Sequence, residues 1–393
     1  MRLVFVQFGN YAEAVHRFAT GGEETFYAQR YSVDFVAGLA ARMEDLTVLH
    51  LLRDDPPERL PSGVRSLGVE FYRKGKRPRH RELIRQLATL RPDHLILMSP
   101  LPLVLVWALA NRVRTLPMFA DSFHASGLKS RAKWALLARL LNNRRIDWVS
   151  NHNLAASLDL VRIGVKRDKV LPFDWPALIP VSERKAKTLR PGEAFRIIYV
   201  GQVSEAKGVG DLIDAVALLN HGTGEGRFRA TIVGGHDGSF TSRARAAGAD
   251  QRIEFAGRVP HERIVPLMNE HDAVVVASRH EYAEGLPMTI YEGLCSRTPV
   301  VASDHPMFRV KLKHEDNALI FAAGNPAALA ERLRALSTDS SLYARLSRNA
   351  EEAVAKFFCP LKYGELISRW LSGTEEDRRV LSTYSLASGR YAV

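Results

Sequence analysis

The stretch from Asp272 to Ser303 constrains the fold of this chain more than any other. It opens on Ala273-Val274-Val275-Val276-Ala277, an unbroken apolar run of the kind that fills a parallel strand buried on both faces. Val300 and Val301 supply the next such strand, and the segment between predicts a helix starting after Gly285. Pro287 falls in its first turn, where a missing N–H costs nothing. Strand, crossover helix and strand make one α/β unit, so a parallel sheet flanked by helices is expected around it. Glu284 then stands at the helix mouth and Glu292 about two turns inside. A helix mouth offers free N–H groups and the positive end of the macrodipole to a phosphate or a sugar hydroxyl. A carboxylate accepts two hydroxyl hydrogens at once, as the vicinal diols of ribose or hexose require. The competing reading is that Glu284 only caps the helix and Glu292 is a solvated surface residue.

The whole second half alternates strand and helix. Strands are expected at 196–201, 228–233, 252–257 and 317–321. Helices are expected up to Asn220, over 261–269, from Pro326, over 340–356 and over 361–371. The first strand runs into Gly201-Gln202, and Lys207-Gly208 follow just before a helix. Were a phosphate group to leave at this point, negative charge would grow on its oxygens in the transition state. A lysine beside a helix N-terminus stabilises that charge without a metal.

These motifs resemble the E-x7-E pattern of retaining glycosyltransferases with GT-B architecture, family 4 in particular. There E-G-[FL]-[GP] leads through a second Glu to G-T-P-V-V-A. Here the chain reads Glu284-Gly285-Leu286-Pro287, then Glu292, then Thr298-Pro299-Val300-Val301-Ala302. The resemblance is specific over about 196–336 and general over 1–180. It implies an α/β fold of two Rossmann-like domains whose parallel sheets face each other across a cleft. The expected limits are an acceptor-binding domain over 1–176, a Pro-, Lys- and Arg-rich linker over 177–193, and a nucleotide-sugar domain over 194–357. A helix over 358–372 is expected to cross back to the first domain, and 373–393 to form a frayed tail.

The resemblance also assigns roles. Glu284 would contact the donor sugar and Glu292 the donor ribose, with Gly285 and Leu286 at the helix mouth. In the family's G-R-x4-K-G the Arg and Lys grip the diphosphate; Lys207 matches, and Gln202 stands in the place of Arg. Gln can hydrogen-bond one phosphate oxygen but brings neither charge nor a bidentate fork. The backbone at Val259 would meet the nucleotide base, and Gly234 closes a strand nearby. Gly21-Gly22, read as the entrance to a helix over 23–43, would let Gly22 approach the donor phosphates; a plain flexible turn explains the pair equally. His124, after a strand at 116–120, would line the reacting centre beside Asp121, against the alternative of a structural histidine. The implied catalytic residues are His124, Lys207 and Glu284, with no metal and no cofactor beyond the nucleotide-sugar co-substrate. Arg297 occupies a place where the family carries Gly just past the helix, a position that favours φ > 0.

The first half is read mainly from its apolar strands and its charge. Strands are expected at 2–8, 46–52, 66–71, 94–98 and 147–150, with helices over 100–111, 129–145 and 153–163. Net charge is +12, and residues 1–200 hold 32 Lys/Arg against 19 Asp/Glu while 201–393 hold 23 against 24. The basicity therefore belongs to the first half, which suits an anionic or membrane-attached acceptor. Two stretches concentrate it: Arg73 to Arg81, with six Lys/Arg in nine residues, and the amphipathic segment Lys129 to Arg145. Each reads either as a solvated or core-packed element or as a docking surface for anionic lipid.

Other classes are disfavoured by missing motifs. No D-x-D ends a strand, no G-x-G-x-x-G follows the first strand, and no Walker A, H-E-x-x-H or G-x-S-x-G is present. The basic run lacks interleaved aromatics, which argues against nucleic acid. With only Cys295 and Cys359, no disulfide framework is possible, so a reducing, cytoplasmic setting is expected. The longest apolar tract, Leu95 to Ala110, is broken by Ser99, Pro100 and Pro102 and is too short to span a bilayer. The expected activity is transfer of a hexosyl group from a nucleotide sugar to a glycan or lipid-linked acceptor in surface polysaccharide assembly. The protein would be cytoplasmic or peripheral on the cytoplasmic face of the inner membrane. A non-catalytic GT-B relative and a sugar-nucleotide epimerase are the alternatives.

Overall fold

The computed structural model describes every residue except 74, 122, 124–126, 177–180, 182–183, 191, 222–226, 237, 283, 285–287 and 392–393. The chain divides into two units, Met1–Pro176 with Cys359–Val393, and Ala177–Phe358.

The sheet of the first unit runs β3-β4-β2-β1-β5-β6-β7-β8. Its strands are β1 Arg2–Gln7, β2 Asp45–His50, β3 Asp55–Arg59, β4 Arg65–Gly68, β5 His94–Leu97, β6 Arg114–Phe119, β7 Val149–His152 and β8 Val170–Phe173. All pairings are parallel except that of the edge strand β3 with β4. Apolar runs such as Leu3–Val6 and Leu95–Leu97 are fully covered, as a sheet wrapped by helices on both faces demands. The covering helices are α1 Tyr11–Ala19, α2 Gln29–Ala40, α3 His80–Leu90, α4 Pro102–Ala110, α5 Leu128–Leu141 and α6 Leu154–Arg162.

Two expectations for this unit are corrected, and one strand was not anticipated. Residues 11–19, expected as loop, form α1, whose N-cap Asn10 accepts the Glu13 N–H. Gly21-Gly22 accordingly ends a helix instead of opening one. Gly21 has φ +76, its N–H bonds Phe18 O at 3.2 Å, and Gly22 N–H bonds Arg17 O at 2.8 Å. That pair of bonds is a Schellman closure, which wants Gly in the left-handed position. The Gly22 amide is thus occupied by its own helix end. The unanticipated strand is β3: its sequence Asp-Pro-Pro-Glu-Arg carries two prolines, tolerated only because an edge strand leaves one side of its ladder open.

The second unit is a six-stranded parallel sheet in the order β11-β10-β9-β12-β13-β14. Its strands are β9 Phe195–Val200, β10 Phe228–Val233, β11 Ile253–Gly257, β12 Ala273–Val276, β13 Val300–Ser303 and β14 Leu319–Phe321. The helices are α7 Val209–Asn220, α8 Ser239–Ala246, α9 His261–Glu270, α10 Met288–Cys295, α11 Pro326–Thr338 and α12 Ser340–Phe357. Strand order reverses between β9 and β12, which pair directly. In doubly wound sheets the crevice outside the carboxyl ends of such a strand pair is where ligands bind.

The last stretch returns to the first unit. Helix α13 Tyr363–Ser372 buries Tyr363, Leu366, Ile367 and Trp370 in one cluster with Leu3, Phe5, Val36 and Phe173. The expected frayed tail is ordered over most of its length: α14 Glu375–Ser382 is capped by Thr374, and Leu381 and Leu386 are buried.

Candidate functional site

The strand reversal puts the loop after β9 against the loop after β12. Gly208, the N-cap of α7, has φ +73, and a Cβ there would collide with Ala277 O. Arg279 N–H bonds Ala206 O at 2.9 Å, and the Arg279 guanidinium grips the buried Asp211 carboxylate at 2.9 and 2.7 Å. That bidentate grip raises the Arg279 pKa above its usual value. Glycine, clamp and backbone bond lock the two loops into one surface.

On that surface Lys207 and Glu284, 77 residues apart, form an ion pair through Nζ and Oε1. Their side chains are 15 % and 6 % exposed, so the pair is largely withdrawn from water. Ser278 Oγ donates to the same Oε1 at 2.6 Å, and the Lys207 ammonium lies 4.2 Å from the Tyr282 ring centroid. Gln202 joins the group at its edge: Tyr282 OH donates to its Oε1 at 3.4 Å and Tyr199 OH to its backbone O at 2.7 Å. Burial and the nearby Glu284 charge raise the Tyr199 phenol, which stays protonated and fixes the turn.

Glu292 is buried within α10, and its Oε1 lies 2.8 Å from His261 Nε2. A carboxylate held this way is not a solvated surface residue. His261 opens α9 directly after Val259 and Pro260, so the β11–α9 loop and α10 meet through this contact. Sequence reading missed His261, Tyr282, Ser278 and the Arg279–Asp211 clamp. A histidine following the Phe255-to-Val259 motif was the one available signal.

Beside this group the loops after β9, β10 and β11 enclose a cavity of about 1010 Å³, lined among others by Gln202, His236, Phe240, Arg243 and Arg258. Gly234 lets the first two loops touch: with φ +154, a Cβ there would collide with Gly201 O. Arg243 is committed to Asp214 and Glu205. Arg258 folds over Gly235, where a Cβ would come within 3.2 Å of its Nε, and makes no ion pair among the described residues. Val259 instead borders a second cavity, of about 620 Å³, running along β10 and β11.

The structure therefore brings together Gln202, Lys207 and Glu284, with Glu292 on the helix that follows. His124, Gly285 and Leu286 lie outside the described residues, and Gly22 lies in the first unit. Among the described residues no group of three or more His, Cys, Asp or Glu could hold a metal ion. No helix among them is long and apolar enough to cross a membrane.

Two parallel sheets, the second in the order of a doubly wound nucleotide-binding domain with its polar residues at the reversal, define the GT-B fold. A solved structure with it is Anabaena Alr3699/HepE in complex with UDP, at TM-score 0.68 and 16 % identity, covering 95 % of this chain and 100 % of that one. Residues 181–353 match the family model described as Glycosyl transferases group 1. D-inositol 3-phosphate glycosyltransferase of Corynebacterium efficiens is 28 % identical over 183 residues, 45 % of this chain and 42 % of that protein. The putative glycosyltransferase EpsD of Bacillus subtilis is 26 % identical over 183 residues, 45 % of this chain and 47 % of that protein. The match thus spans less than half the length of each of these curated relatives.

Proposed function

We propose that this chain is a retaining hexosyltransferase of the family 4 kind, using a nucleotide sugar and no metal. The observation that carries the reading is the ion pair of the half-buried Lys207 with the buried Glu284 at the strand reversal, with the buried Glu292 on the next helix. Each member has a partner that a donor would replace. The diphosphate would take Lys207, the hexose hydroxyls would take Glu284, and the ribose diol would share Glu292 with His261. Before the donor binds, the ion pair keeps both groups from being buried uncompensated.

The chemistry follows from those positions. The bond between the sugar anomeric carbon and the phosphate oxygen breaks, and Lys207 stabilises the charge left on the diphosphate. The acceptor hydroxyl attacks the same face, and its proton passes to the departing phosphate oxygen. His124 would line that centre. HepE was solved with UDP, which favours a nucleoside diphosphate ligand for a chain of this fold. The acceptor would be a glycan or lipid-linked glycan on the first unit, in surface polysaccharide assembly at the cytoplasmic face of the membrane.

A second reading, a non-catalytic relative that binds without turnover, is favoured by Gln202 alone. A panel of nucleotide sugars assayed for transfer and hydrolysis separates the two. Turnover by the wild type, lowered about a hundredfold in kcat by Lys207→Ala, is the expected result. No turnover with any donor, and an unchanged melting temperature with UDP and GDP, would sink the enzyme reading.

A further inference from the structure

Helix α5 is apolar on two opposite sides. Leu137, Ala138 and Leu141 are buried in the core of the first unit. Leu128, Ala132, Ala135 and Leu136, at i, i+4, i+7 and i+8, form a second stripe that faces solvent. Leu128 is 83 % exposed and Leu136 52 %. A helix that only packs on its own sheet has no use for outward leucines. On the neighbouring α4, Leu103 and Val106 are exposed as well, at 50 % and 47 %.

The charges that α5 itself places around this stripe are all of one sign, and Asp121, before the helix, acts on Lys133 from outside it. Lys129 and Lys133 flank it on one side, Arg131 on the other, and Arg139 closes its end; α5 contains no Asp or Glu. These four cations are exposed, and none makes an ion pair among the described residues. The other basic stretch behaves differently. There Asp54 takes Arg73 at 3.2 Å and Arg79 at 2.6 Å, and Glu70 takes Arg73 at 2.7 Å. Folding thus neutralises part of the 73–81 run and leaves the α5 face cationic.

We propose that the outward face of α5, with the exposed side chains of α4, docks this chain on an anionic lipid bilayer. The helix lies in the plane of the interface, its leucines entering the acyl boundary while the lysines and arginines reach the lipid phosphates. Charge complementarity selects this occupant. Unpaired cations around an apolar stripe match a surface that is anionic at the headgroups and apolar just beneath.

Sedimentation of the full chain with vesicles tests it. The wild type is expected to bind phosphatidylglycerol–phosphatidylcholine vesicles at low salt and to release at high salt, with little binding to phosphatidylcholine alone. Leu128→Asp with Leu136→Asp, and separately Lys129→Glu with Lys133→Glu, should each lower that binding at least tenfold. Lys76→Glu with Arg77→Glu, which leaves the α5 face intact, should lower it less than either α5 pair. All of these side chains are exposed, so unchanged circular dichroism is expected for every variant. Equal binding by the α5 variants, or none by the wild type, overturns the proposal. So does a concentration-dependent dimer abolished by Leu128→Asp with Leu136→Asp, which would give the face to a second copy. None of these readouts depends on the donor chemistry.

Discussion

At the scale of single residues, the site turns on where positive charge stands. Gln202 occupies the place of an arginine in the pattern this chain resembles, so under the proposed function a diphosphate would lack a bidentate partner there. Arg258 lines the same cavity with no acidic partner among the described residues and can supply the missing charge. Arg258→Met should therefore weaken UDP or GDP binding about tenfold, the size of one charge-assisted hydrogen bond, and leave the phosphate-free nucleoside unaffected. Adding Gln202→Arg to that variant should restore the affinity, as titration calorimetry would read. No rescue, with wild-type binding intact, would remove Arg258 from the phosphate site. Arg297 shows the opposite case, a residue whose oddity is structural. The position after α10 favours φ > 0, and Arg297 has φ +61. Its guanidinium bonds Arg184 O and Arg348 O at 3.2 Å each and reaches Glu351, which offsets a backbone strain of about 1–2 kcal/mol.

At the scale of elements, buried polar contacts decide how loops and helices are fixed. Lys187, in the segment read as a linker, donates to Asn269 O at 2.9 Å, to Thr298 Oγ1 at 3.1 Å and to His271 O. It closes the end of α9, where the last carbonyls lack helical partners. Burial lowers its pKa from 10.5 to about 8. Below pH 8 both folded and unfolded chains carry this proton, and the folded state bears the cost of a buried charge. Between pH 8 and 10.5 the unfolded state holds more of the proton, so stability rises with pH across that window. Urea midpoints of the wild type should accordingly gain on those of Lys187→Met from about pH 8 to about pH 9.5, before the phenols titrate, a comparison that cancels the opposite effect of the buried Cys295 thiol. A constant difference between the two proteins over this range would contradict the assignment. The two glycine closures act at the same scale: Gly208 and Gly234 let three loops converge, and any larger residue would push them apart.

At the scale of the whole molecule, each unit contains one cysteine. Cys359, in the first unit, and Cys295, in the second, are both buried. Burial pushes the Cys295 thiol up to about 12, far from the thiolate that reacts. The native chain should therefore be nearly inert to Ellman's reagent, and labelling along a urea series should report the opening of each unit separately. Rapid labelling of either thiol in the native state would mean that its unit opens locally. The sequence by itself determined the things that depend on neighbouring residues. Parallel buried strands declare themselves as apolar runs, so the unit around Glu284 and Glu292 and the sheet class were readable, and the resemblance added the φ > 0 position at Arg297. Features without such a run were not. The short polar helix α8, the proline-bearing β3 and the role of Gly21-Gly22 each depend on geometry that periodicity does not encode. Only the tertiary structure decided which distant residues meet. Lys207 reaches Glu284 and Arg279 reaches Asp211 because strand order reverses between β9 and β12 and brings those loops together, and Glu292 reaches His261 where α10 meets the β11–α9 loop. Asp54 reaches into the 73–81 run and neutralises part of it, while no ion pair among the described residues touches the cations of α5. Charges and carboxylates are legible one at a time along a chain, but whether each is paired depends on strand order and loop contacts that no local pattern records.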